Sequence, residues 1–79
     1  MPEQLGHSAE VQMRLLLNGY TFRITHMGPD FLRLREVIEH PPATGEVILV
    51  VDGQESRWNV FLPEGLHQGQ ARVPVSQAF

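Results

Sequence analysis

The chain is predicted to be all-β, a small antiparallel barrel or two-sheet sandwich of five to six short strands built from hairpins, of the size of an SH3-like barrel. Three observations predict it. Apolar residues recur with period two in several windows, the pattern of half-buried strands. Asn18-Gly19 and Asp52-Gly53 each sit between two such windows, and each dipeptide supplies the positive-φ positions of a type I′ hairpin turn. No window carries a sustained i, i+3, i+4, i+7 stripe of the kind an amphipathic helix needs.

Residues 1–9 mix Pro2, Gly6 and Ser8 with polar groups and are read as a flexible N-terminal tail. Residues 10–79 are then a single β domain. From Glu10 the pattern alternates, with Val11, Met13, Leu15 and Leu17 on one face of a first strand. After Asn18-Gly19, Tyr20, Phe22 and Ile24 continue that face on a second strand. Closure by a two-residue turn pairs Leu17 with Tyr20, Leu15 with Phe22 and Arg14 with Arg23. Pattern and turn chemistry therefore agree.

Met27-Gly28-Pro29-Asp30 reads as a turn. Phe31 to Val37 reads as a third strand, with Leu32 and Leu34 inward and Arg33 and Arg35 outward. The alternative over residues 31–39 is two helical turns, because Pro29-Asp30 also suits a helix N-terminus. His40 to Gly45 contains two prolines and a glycine and is read as an extended connecting loop. Glu46 to Val51 is rich in β-branched residues and reads as a strand covered on both faces. Gln54 to Leu62 follows Asp52-Gly53, with Trp58, Val60 and Leu62 on one face and Arg57, Asn59 and Phe61 on the other. Ala71 to Val75 is a candidate sixth strand, which Pro74 would confine to an edge.

Composition removes several classes of function. The 79 residues contain no cysteine, so disulfide frameworks, thiol catalysis and cysteine-based metal sites are out. The formal charge of −3 argues against binding duplex DNA by charge alone. Met1 to Ala9 show no basic or apolar leader pattern, and the apolar run Val47 to Val51 is far short of a membrane helix. A cytoplasmic location without membrane association is expected.

No motif points to catalysis. The histidines His7, His26, His40 and His67 have no partner at metal-ligand spacing, and the serines lack a nucleophile elbow. No catalytic residue, metal ligand or cofactor is therefore expected, and the chain is read as non-enzymatic. All six basic residues are arginine, a planar donor suited to carboxylate and phosphate. Arg14 and Arg23 are expected opposite each other, with Arg33 or Arg35 joining them if the third strand pairs with the second. Such a face would bind an anionic ligand or single-stranded nucleic acid, unless Glu10, Glu36 and Glu46 neutralise it. Phe31 and Phe61, of opposite parity to Leu32 and Trp58, suggest surplus apolar surface for an unknown protein partner or a second copy of the chain. A small protein-interaction module is thus the first expectation, and anion binding the alternative.

Gly19 to Ile24 resembles the aromatic strand of cold-shock proteins over six residues, without that family's lysine and second glycine. The resemblance implies base stacking on Tyr20 and Phe22. Their shared face with Leu15 and Leu17 implies core positions instead. The arginine pair and the Asp/Asn-x-Ser-x-x-Gly strand of PilZ-type barrels are not matched, since Arg33 and Arg35 are two apart.

Overall fold

The computed structural model describes residues 10–77; the expected N-terminal tail lies outside them. The described residues form an antiparallel sheet curled into a nearly closed barrel and contain no helix. Seven strands follow in chain order: β1 (Val11–Leu17), β2 (Tyr20–Met27), β3 (Phe31–Leu34), β4 (Ala43–Val51), β5 (Gln54–Leu62), β6 (Val73–Pro74) and β7 (Ser76–Gln77). Their order in the sheet is β6-β3-β2-β1-β4-β5-β7.

Both hairpins close as their turn dipeptides require. Asn18 and Gly19 have φ of 48° and 83°, and Asp52 and Gly53 have φ of 49° and 84°. These are the left-handed values of a type I′ turn, which only Gly, Asn and Asp adopt at small cost. The β1–β2 register is the expected one: Leu17 faces Tyr20, Leu15 faces Phe22 and Arg14 faces Arg23. The β4–β5 ladder runs unbroken from Ala43↔Leu62 to Val51↔Gln54.

The inward residues make one core. Leu15, Leu17, Phe22, Ile24, Leu32, Val47, Val60, Leu62, Leu66 and Val73 are all buried, with Met13, Leu34 and Trp58 packed against them. Among the described residues no polar or charged side chain is buried. The interior is therefore filled with apolar side chains, as a barrel of this size requires.

Four expectations are corrected. The β4 strand begins at Ala43 rather than Glu46, because Ala43 to Gly45 continue the ladder with β5 and only the prolines at 41 and 42 stop it. The third strand ends at Leu34 rather than Val37, and the helical alternative over 31–39 does not occur. The expected sixth strand is two short strands with Val75 between them: β6 pairs with β3 and β7 with β5. The sheet therefore has seven strands, not five or six, and one five-residue segment touches both of its edges. Finally, Tyr20 is not a core residue. It lies 53% exposed at the hairpin end, while Phe22 is buried as expected.

Candidate binding site

The β1–β2 ladder stops at Arg14↔Arg23. Beyond that pair the two strands part. β1 stays with β4, where Val11 faces Val51 and Met13 faces Leu49. β2 follows β3 instead, and a bulge at Thr25 shifts the register between Ile24↔Leu34 and His26↔Arg33. An extra residue of this kind bends its strand and raises the local twist. The divergence opens a cleft of about 610 Å³ lined by Glu10, Met13, Arg14, Arg23, Ile24 and Thr25.

At its mouth the wall of this cleft on β1 carries backbone groups with no ladder partner across it. In an antiparallel ladder, successive residues direct their N–H and C=O to alternate sides. The amide of Asp52 donates to the carbonyl of Glu10 at 2.9 Å, so Glu10 and Gln12 bond toward β4. Val11 and Met13 then point their N–H and C=O toward β2, and beyond the Met13 carbonyl these groups open onto the cleft. On the other wall the amide of Arg35 donates to the carbonyl of Arg23 at 2.9 Å. Arg23 thus bonds toward β3, and Ile24 turns its backbone groups toward β1, where its N–H bonds the Met13 carbonyl that flanks the Arg14↔Arg23 pair.

The same alternation places Arg14 and Arg23 in a pair that exchanges no backbone bonds, the closer kind of cross-strand neighbour. The register extends the row on both sides. Arg35 lies next to Arg23, and Ile48 followed by Arg57 lies next to Arg14. Four arginines thus share one line across the outer face. Ile48 lies between two of them and is only 4% exposed, although it is on the outside of the barrel. Arginine stems cover apolar surface in this way while their heads stay in water.

The acids expected to neutralise this face do so at one end only. Arg57 pairs with Glu46 at 3.4 Å and with Glu55. Hydrogen bonding to Glu55, with that carboxylate's charge, holds the Arg57 proton more firmly than usual, and Glu46 adds to it. Among the described residues no carboxylate is in ion-pair contact with Arg14, Arg23 or Arg35. Glu10 lines the mouth of the cleft rather than its head, and Glu36 lines a second groove of about 400 Å³ beside Arg23, Arg35 and Tyr20.

The other candidate residues separate from this site. Arg33 faces His26 beyond the bulge, so it is Arg35, not Arg33, that joins the arginine row. Phe31 is half-buried; it pairs with Pro74, and the Arg72 guanidinium stacks 4.4 Å over its ring. Phe61 is 38% exposed on the outer face of β5. The remaining exposed apolar residues include Val11 and Val51, which face each other at the opposite end of the sheet. The surplus apolar surface is thus divided between two ends of the barrel.

The described histidines are engaged locally. His40 Nδ1 meets the carbonyl of Pro41 at 2.7 Å, which makes Nδ1 the donor, and Nε2 then accepts from the Asn18 side-chain amide at 3.0 Å. His26 bonds the neighbouring Thr25 hydroxyl, and His67 faces Glu39. Among the described residues no three His, Asp or Glu side chains are grouped to hold a metal ion. No described helix is long and apolar enough to cross a membrane.

Sequence reasoning reached the Arg14–Arg23 pair and offered Arg33 or Arg35 as its extension, but missed the cleft and the continuation of the row to Arg57. The only local signal was Thr25-His26 following an alternating run, which does not by itself mark a bulge. No protein-family model matches the chain, and no curated protein or solved structure matches it.

Proposed function

We propose that this domain is a non-enzymatic binding module that takes an anionic group at the Arg14–Arg23 head of the β1/β2 cleft. The observation that carries this reading is a like-charged pair left without a carboxylate among the described residues. Two guanidinium groups side by side offer parallel N–H donors that match a carboxylate or phosphate. Like charges directly opposite in a sheet destabilise it, so a bound anion removes a cost as well as adding contacts. Glu10 at the mouth and arginines at the head give the cleft a charge direction, with its attractive end innermost.

The test is an NMR titration at low salt with inorganic phosphate, following the side-chain Nε signals of Arg14 and Arg23. Saturable shifts are expected, weakening as salt screens the charges. Arg23→Gln should abolish the shifts at Arg14 while the melting profile stays cooperative. Phosphate that leaves both signals unmoved at low salt overturns the reading.

A further inference from the structure

Independently of the anion site, we infer that the open edge of β5 is a self-association surface, where a second copy of this chain pairs its own β5 antiparallel about a twofold axis at Ser56. The edge follows from the hairpin. A two-residue type I′ turn makes Val51↔Gln54 a pair that exchanges both backbone bonds, and the alternation continues down the ladder. Gln54, Ser56 and Trp58 therefore bond to β4, while Glu55, Arg57 and Asn59 direct their N–H and C=O away from it. On that side β7 reaches only Val60 and Phe61. Among the described residues no strand pairs with this side of β5 from Gln54 to Asn59.

The edge lacks the devices that keep a strand single. Edges are blunted by proline, lysine, a bulge or an inward-pointing charge. From Gln54 to Asn59 there is no proline or lysine, and the ladder with β4 has no register shift. The inward residues Gln54, Ser56 and Trp58 are uncharged. The two charged residues, Glu55 and Arg57, share the outer face and are of opposite sign.

Charge selects both the partner and the register. Two identical edges bond only when residues of the same parity meet, so the twofold axis falls at Glu55, Ser56 or Arg57. Axes beyond these run the strand into β7 or off the Asp52-Gly53 turn. An axis at Glu55 sets two carboxylates against each other, and one at Arg57 sets two guanidinium groups together. Like charges directly opposite destabilise a ladder and opposite charges stabilise it. An axis at Ser56 places each Glu55 opposite the second copy's Arg57, in a pair that exchanges both backbone bonds. Glu55 already bonds Arg57 within its own strand, so four charges of alternating sign close a ring about the axis. On the inner face the same register sets half-buried Trp58 beside the second copy's Gln54. One strand further lies Val51, which is 37% exposed. The edge is thus its own complement, which favours a second copy over an unrelated strand.

The experiment is light scattering on a size-exclusion column with the full chain, over a range of concentrations. A dimer that dissociates on dilution is expected. Glu55→Arg and Arg57→Glu each set like charges opposite in the homodimer, and each should raise the dissociation constant at least about tenfold. An equimolar mixture of the two variants should restore the dimer, because two arginines of one chain then meet two glutamates of the other. Hydrogen exchange at the Glu55 and Arg57 amides of the parent chain should slow as the dimer forms. The Ser56 amide, already bonded to Leu49, should not change. A chain that stays monomeric up to about 1 mM overturns the inference. A dimer that both single variants retain uses another surface and overturns it equally, as does a mixture of folded variants that remains monomeric. If a variant unfolds, exchange in the parent decides: a dimer that leaves the Glu55 and Arg57 amides unprotected is not paired through β5.

Discussion

Arg23 is the residue on which the site depends most. It faces Arg14 across one ladder and Arg35 across the other, so a single guanidinium repels two neighbours in the free domain. Replacing it with glutamate turns both contacts into opposite-charge pairs. Cross-strand charge pairs of this kind are worth a few tenths to one kcal/mol each. Arg23→Glu is therefore expected to stabilise the free domain by about 0.5–1 kcal/mol in urea unfolding and to abolish anion binding. A variant that is less stable than the parent would show that the stem of Arg23 matters more than its charge. Arg14 differs from Arg23 because it also flanks the buried outer residue Ile48. Truncation at 14 mixes a packing loss with a charge loss, whereas Arg14→Gln keeps most of the stem.

At the scale of elements, the hairpins were legible because their information is local. Asn18-Gly19 and Asp52-Gly53 set the turn type, and alternation set the faces, so the register followed without knowledge of the rest of the fold. Elements whose limits depend on distant partners were not legible. The third strand runs past the bulge in β2 and stops after Leu34, with Arg35 making one last bond to Arg23, and β4 begins at Ala43 because Leu62 is there to pair with it. The Arg14–Arg23 pair was readable for the same local reason as the hairpin, while the cleft beside it depends on where two ladders diverge. The connection after β5 holds another non-local constraint. Gly65 has φ of +64°, and a Cβ built there would lie 2.0 Å from the His40 carbonyl oxygen, where Leu66 and His40 exchange backbone bonds. Left-handed backbone alone costs a non-glycine residue on the order of 1 kcal/mol or more, and the clash with backbone adds to it. Gly65→Ala is expected to lose about 2–3 kcal/mol in thermal or urea unfolding; a loss below about 0.5 kcal/mol would mean that this bridge gives way easily.

At the scale of the whole molecule, the barrel has a firm sector and two weak seams. The firm sector is β1–β4–β5, where β4 is laddered along nearly its whole length on both sides. One seam is the β1/β2 cleft. The other is closed only by the segment from Val73 to Gln77, which pairs with Phe31 and Leu32 through β6 and with Val60 and Phe61 through β7. The amide of Val75, between the two, donates to the Asp30 carbonyl at 3.0 Å. Short ladders with few neighbours open at lower free energy than long ones. Native-state hydrogen exchange is therefore expected to rank the amides of Val47 and Leu49 as slowest, those of Ser76 and Gln77 as faster, and those of Val11 and Met13 as fast because no strand covers them. This order links the fold to the proposed role. An anion held between Arg14 and Arg23 would fasten β2 to β1 at the head of the cleft, so phosphate should slow the Val11 and Met13 amides without altering those of β7. If instead β7 is as protected as β4 in the free protein, the C-terminal segment is a true structural strand and the barrel has only one place left to open, the cleft between Arg14 and Val11.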